Sequence, residues 1–204
     1  MKAIILKEAG SADKLEMAEL PKPLINDREV LIQTKAISIN PVDIKTRTGK
    51  SLYSELRSQN PFIILGWDVS GIVIEAGNSV TGFKPGDEVF GMINFPGHGK
   101  AYAEYVAAPA EHIALKPATI THEQAAAATL AALTAWQALV TNAKVSKGQK
   151  VLIQAASGGV GHYAVQIAKF LGAYVVATSS AANRDFVLSL GADEVEERLE
   201  RLVV

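Results

Sequence analysis

The run Ala156-Ser157-Gly158-Gly159-Val160-Gly161 lies between a short apolar stretch, Val151–Ala156, and a segment whose apolar residues recur at helical spacing. Strand, glycine turn and helix in that order can hold a pyrophosphate. Gly158 removes the side chain where backbone must approach the phosphates, and Gly161 lets the helix pack close to the strand. The helix N-terminus adds unpaired N–H groups and a partial positive charge. The pattern is A-x-G-x-x-G, with Ala156 in place of the first glycine of the usual motif. Residues Ala156, Ser157, Gly158, Gly159, Val160 and Gly161 are therefore candidate dinucleotide contacts; an ordinary tight strand–helix turn is the plainer alternative.

The next strand speaks to which dinucleotide. Tyr174–Thr178 reads as a strand after the Gly172-Ala173 break. An NAD site places an Asp or Glu at that strand's end, where it binds the ribose 2′-hydroxyl. Here Thr178-Ser179-Ser180 stands there, with Arg184 four residues past Ser180. Hydroxyls and a guanidinium hold a 2′-phosphate that a carboxylate would repel, so NADPH is expected over NADH. Ser179 and Ser180 also suit helix N-capping, and the two roles can coexist.

Other chemistries are excluded by composition. The chain has no cysteine, so disulfides and cysteine-based metal sites are out. His98, His112, His122 and His162 are scattered without ligand spacing and read as surface or cap residues; no metal is expected. A formal net charge of −1 argues against nucleic acid or an anionic membrane as a main partner. The apolar start Met1–Leu6 is too short for a signal peptide, and no run reaches transmembrane length. Together these are compatible with the cytoplasm.

Positioning such a site requires two kinds of structure. Up to about Pro117 the chain is strand-rich: Glu29–Ile39, Val69–Ala76, the Pro85-Gly86 turn into Val89-Phe90, and the alternating Ala101–Val106 all read as strands of a compact barrel. From Thr121 the pattern becomes helical, opened by the capping box Thr121-x-x-Gln124. Gln124–Val140, apolar on nearly all sides, is expected to be a largely buried helix. The reading is α/β, with one domain over residues 1–120 and a second over 121–204.

Several motifs in register make a resemblance specific. A-I-S-I-N-P-V-D-I-K-T-R at 36–47, G-W-D-V-S-G at 66–71, G-F-K-P-G-D-E-V at 82–89, L-T-A-W-Q-A-L at 133–139 and the glycine turn follow one another in family order. On these residues the chain resembles the medium-chain dehydrogenase/reductases, in the zinc-independent quinone oxidoreductase and enoyl reductase branch. The resemblance implies a GroES-like barrel followed by a Rossmann domain, with a small-molecule substrate in the cleft between them. It implies hydride transfer from NADPH to a quinone or an α,β-unsaturated carbonyl. Zinc-dependent relatives use Cys and His at positions that are Asn40, Trp67 and Leu130 here, which cannot form a zinc site.

The same resemblance points to three residues near the chemistry. Asn40 and Thr134 would lie by the nicotinamide, and Tyr53 on the substrate side, where it can donate a hydrogen bond or proton. Each has a plainer role: Asn40 capping the turn before Pro41, Thr134 a buried helix hydroxyl, Tyr53 a loop anchor. Another frequent family tyrosine is Lys45 here, a departure within the substrate pocket.

Past Gly191-Ala192-Asp193-Glu194-Val195 the sequence leaves the family pattern and ends in the charged stretch 196–204. It is expected to encode strands 1 and 2 of a doubly wound sheet, with at most a third, and so only part of a Rossmann domain. A truncated, non-catalytic homologue that keeps a barrel and half a nucleotide site is the alternative reading. Without strand 4, the edge of strand 1 would expose unpaired backbone with Val151 and Ile153, so a homodimer through that half is expected; aggregation, or covering of the edge by the charged tail 196–204, are the competing outcomes.

Overall fold

Alternating apolar residues fold the N-terminus into a hairpin of β1 (Lys2–Leu6) and β2 (Leu15–Glu19), in a computed structural model that describes residues 1–197. The chain divides into two units, residues 1–130 and 131 onward. The division falls ten residues beyond the change in composition at 120, inside the helix α3 (His122–Trp136).

In the first unit, β3 (Glu29–Ile37), β4 (Asp68–Ala76), β5 (Glu88–Met92), β6 (Tyr105–Pro109) and β7 (Ile113–Leu115) form an antiparallel sheet of order β6-β3-β4-β5-β7. The β1–β2 hairpin is a separate sheet, joined to the rest by the isolated bridges Ala3–Ala103 and Leu6–Ile63. Val30, Ile32, Val69, Val73, Val89 and Val106 make one core from inward-facing positions. Leu6, Leu56, Ile63, Leu65 and Trp67 make another, under α1 (Pro41–Arg47) and α2 (Tyr53–Gln59). Trp67 is only 1% exposed. The strand expected over Ala101–Val106 starts at Tyr105. Before it, the N–H groups of Ala101 and Tyr102 bond instead to the carbonyls of Gly66 and Leu65, which draws that stretch out of the sheet.

The second unit is a parallel sheet. β8 (Lys150–Ile153), β9 (Tyr174–Ser179) and β10 (Glu194–Glu197) lie in the order β10-β9-β8, connected by α4 (Gly161–Phe170) and α5 (Arg184–Ser189). This is the 3-2-1 half of a doubly wound sheet. Alternation sends Ile153, Val175, Ala177 and Val195 into one core with Ala164, Val165, Ala168 and Val187, with Val151 packed at its margin. Leu152 points the other way and is 60% exposed. The first strand ends at Ile153, not Ala156, because Ala155 turns the chain in a left-handed conformation (φ 49°).

The helix expected over Gln124–Val140 runs from His122 to Trp136 and continues as a π-helical turn, Gln137–Asn142. Its burial is one-sided: Ala135 and Leu139 join the core, while Leu133 (45%) and Trp136 (46%) are exposed. Alanine-rich composition gives no clue to which face is seated, so apolarity all round did not mean burial all round. No helix among the described residues is long and apolar enough to cross a membrane. Residues 198–204, on which the tail-covers-edge expectation falls, lie outside the described residues.

Candidate functional site

The glycine turn follows β8 directly and is held by its own backbone. The Gly158 N–H donates to the Ala155 carbonyl (2.9 Å), and the Ala156 N–H donates to the Thr178 carbonyl of β9 (2.9 Å). The Thr178 hydroxyl accepts the Ala155 N–H (3.1 Å). His162, the second residue of α4, donates from Nδ1 to the Gly158 carbonyl (2.9 Å). Neither Thr178 nor His162 was assigned to the turn from sequence, since both contacts depend on how the turn closes.

The glycines have separate uses. A Cβ on Gly161 would lie 2.3 Å from the Ala155 oxygen and 2.7 Å from the Ala156 Cα, so helix and turn touch only because that atom is missing. A Cβ on Gly159 would meet nothing within 4 Å, and one on Gly158 only the Ala155 oxygen at 3.1 Å. Gly158, Gly159 and Val160 are exposed, Ser157 is half-buried and Ala156 is buried. An open glycine cradle at the start of a helix fits a phosphate group, and so fits the dinucleotide.

At the end of β9 the three candidate phosphate contacts differ. Ser179 is buried, and its hydroxyl donates to the Ser180 carbonyl (3.0 Å). Ser180 is exposed and precedes the short 3-10 turn Ala181–Asn183. Arg184 opens α5, and its Nη1 donates to the Val195 carbonyl of β10. A guanidinium has five N–H donors, so that bond leaves others for a ligand. Asn183 donates to the Ser157 hydroxyl (3.2 Å), linking the glycine turn to this end of β9.

In the first unit, the polar cluster around Asn40 is buried. Asn40 takes the N-cap position of α1 in extended conformation, with Pro41 at the first helical position. Its side-chain amide donates to Asp68 Oδ2 (2.8 Å), and its backbone N–H donates to Asp43 Oδ2 (2.7 Å). Asp43 Oδ1 accepts the N–H of Gly66 (3.1 Å), which ties the start of α1 to the turn before β4. Burial pushes the Asp43 carboxyl up to about 6; the N–H groups of Asn40 and Gly66 oppose this, and the Asp68 charge adds to it. Asp68 is raised by burial too, against the Thr129 hydroxyl, the Asn40 amide and the Leu130 N–H. Both carboxylates were missed as site residues. Asp43 had a legible signal, an acid three residues after the cap residue.

The other two residues near the expected chemistry have settled positions. Tyr53 begins α2, packs on the Leu6–Trp67 core, and accepts the Ala9 N–H at its hydroxyl (3.1 Å). That is an anchoring contact, and it leaves the tyrosine's own proton available. Thr134 lies on an exposed face of α3, so its plainer role as a buried helix hydroxyl does not hold.

The histidines are committed separately. His98 Nε2 meets Asn60 (2.9 Å), His112 Nδ1 accepts the Asn94 N–H (3.0 Å), and His122 lies between Ser70 (2.8 Å) and Glu88 (3.3 Å). Among the described residues no group of three or more His, Cys, Asp or Glu is placed to hold a metal. Of the three positions that match zinc ligands, Asn40 is bonded to Asp68, Trp67 donates its indole N–H to the Gly97 carbonyl (2.7 Å), and Leu130 offers no side-chain donor.

Comparison with known proteins places this geometry. Residues 26–118 match the alcohol dehydrogenase GroES-like domain. The chloroplast envelope quinone oxidoreductase homolog of Arabidopsis thaliana is 40% identical over 197 residues, covering 91% of this chain and 57% of the relative. The quinone oxidoreductase structure from Coxiella burnetii is similar with a TM-score of 0.88 at 40% identity, over 96% of this chain and 62% of that one. The Escherichia coli quinone oxidoreductase complexed with NADPH is similar with a TM-score of 0.81 at 32% identity, over 100% of this chain and 60% of that one. The chain thus spans a little over half the length of the curated relatives it matches. It belongs to the medium-chain dehydrogenase/reductase superfamily, in the quinone oxidoreductase branch.

Proposed function

We propose that this chain binds NADPH at the Ala156–Gly161 turn and acts as a zinc-independent oxidoreductase on a quinone or an α,β-unsaturated carbonyl. The observation that carries the reading is the open cradle at Gly158 and Gly159, set at the N-terminus of α4 and tightened by the Gly161 contact. Backbone N–H groups there hold the pyrophosphate. Ser180 and the spare N–H donors of Arg184 take the 2′-phosphate; Ser179, turned onto its neighbour's carbonyl, shapes the strand end rather than contacting the ligand. When bound, the nicotinamide supplies the hydride.

Asn40 has two amide N–H donors and spends one on Asp68. The second orients a substrate carbonyl and stabilises charge developing on its oxygen. Tyr53 donates its free proton on the substrate side, and Thr134 supports the nicotinamide. The E. coli relative, solved with NADPH, supports the cofactor choice. The compartment we propose is the cytoplasm, with which a cysteine-free chain is compatible.

The second reading is the alternative raised by the sequence, nucleotide binding without turnover. Fluorescence titration with NADPH, run beside quinone and enone turnover, separates the two. A side chain at Gly158 would hold phosphates off the loop, so Gly158→Val should weaken NADPH binding about tenfold or more, some 1.4 kcal/mol, with little change in melting temperature. Equal affinity in parent and variant would remove the turn as the phosphate site. One tightly held zinc per chain by elemental analysis would overturn the metal-free assignment.

A further inference from the structure

The peptide between Gly158 and Gly159 has no Cβ on either side, and a Cβ on Gly159 would meet nothing within 4 Å. Neither glycine has positive φ, so neither is there to allow an unusual backbone. Rotation of such a peptide exchanges its carbonyl and its N–H, and no flanking Cβ resists it. Yet that orientation decides what the turn can bind. In a trans peptide the carbonyl and the N–H point in opposite directions. With the Gly158 carbonyl drawn toward α4, the Gly159 N–H faces out of the turn, where it has no acceptor among the described residues. The reverse orientation would present a carbonyl oxygen to an anion.

One residue fixes the choice. His162 donates twice to the Gly158 oxygen, from its backbone N–H (3.0 Å) and from Nδ1 (2.9 Å). A carbonyl oxygen has two lone pairs, and these donors occupy both. The backbone bond is the first turn of the helix, which any residue but proline would close; the Nδ1 bond depends on this side chain. We propose that His162 is the positioning residue of the phosphate cradle: its imidazole pins the Gly158 carbonyl and so aims the Gly159 N–H at an incoming pyrophosphate. This rests on the reading of Ala156–Gly161 as the dinucleotide site. Tyr163 packs against the imidazole, with ring centroids 4.0 Å apart, and limits its rotation. A neutral ring donates from Nδ1 in the tautomer this contact selects, and a protonated ring donates there too, so the pin holds in both forms.

The experiment uses two variants of one shape. Asparagine carries an N–H donor at the δ position, where histidine has Nδ1; leucine branches in the same way and has no donor. Affinity for NADPH falls with the share of molecules whose Gly159 N–H points outward. Loss of this one hydrogen bond in His162→Leu should weaken NADPH binding about three- to tenfold by fluorescence titration, while His162→Asn stays within about twofold of the parent. A ligand-free readout comes from the backbone proton–nitrogen correlation spectrum. The Gly159 amide signal should be single and sharp in the parent and in His162→Asn, and shifted or broadened in His162→Leu. A role in helix stability alone would lower the melting temperature and leave that signal in place. Measurable but equal affinity in the parent and His162→Leu, no advantage of Asn over Leu, or an unmoved Gly159 signal would each overturn the proposal. A parent that binds no NADPH would overturn the cofactor reading instead, and the Gly159 signal would then decide the pin by itself.

Discussion

Both units turn the chain sharply into a helix, at Asn40–Pro41 and at Ala155–Gly161, and they satisfy the turn by opposite means. In the first, buried carboxylates do it: Asp43 accepts the N–H groups of Asn40 and Gly66, and Asp68 accepts the Asn40 amide. In the second, backbone closes on backbone in an exposed loop, with a missing Cβ at Gly161 as the condition. A turn built on buried charge is stiff and sensitive to pH. A turn built on sterics is indifferent to pH and keeps its outer face open to an anion.

Four substitutions, at three residues, would break or sharpen this contrast. The largest effect belongs to Gly161→Val, whose Cβ meets backbone that cannot give way. It should cost more than about 3 kcal/mol of stability, read by denaturant unfolding, with the same loss at pH 5 and pH 8. A loss that depends on pH would dissolve the steric half of the comparison.

Asp43→Ala comes next. It strands two N–H groups, one of them buried with Asn40, and should cost about 2–3 kcal/mol. Asp43→Asn then tests the charge. Because the folded-state pKa is raised to about 6, the parent binds the proton more tightly when folded. Its stability relative to Asp43→Asn should therefore be greatest below about pH 4, decline through pH 6, and stay level above. A difference that grows with pH would show that Asp43 is not held as the buried geometry requires.

The smallest effect is at Arg184. Arg184→Ala should reduce the preference for NADPH over NADH by about tenfold, near 1.5 kcal/mol, measured as the ratio of the two dissociation constants. It should also lower stability slightly by freeing the Val195 carbonyl. An unchanged ratio would leave Arg184 only its structural bond.

What the sequence made legible was whatever a local pattern dictates. The capping box at Thr121 and Gln124 forms as its spacing requires, with reciprocal bonds of 3.0 and 3.2 Å. The strand–turn–helix around Gly158 and the strand Tyr174–Ser179 are where period and punctuation put them. What was not legible depends on residues far apart in the chain. Asp68 is a site residue only because β4 carries it to Asn40, 28 positions away. Ser179 was read for its hydroxyl, and strand alternation turned that hydroxyl inward. Ala155 adopts a conformation usually left to glycine, so the strand stops earlier than its apolar run.

The two tryptophans give the molecule its own instrument. Trp67 is sealed in the first unit, and Trp136 is half open in the second. Emission from Trp67 should be blue-shifted and resistant to acrylamide, while that from Trp136 should be red-shifted and readily quenched. Unfolding followed by quencher-resistant and quencher-accessible fluorescence therefore reports each unit separately in the unaltered chain. Coincident midpoints would mean that the two melt as one cooperative body, and separated midpoints that they do not.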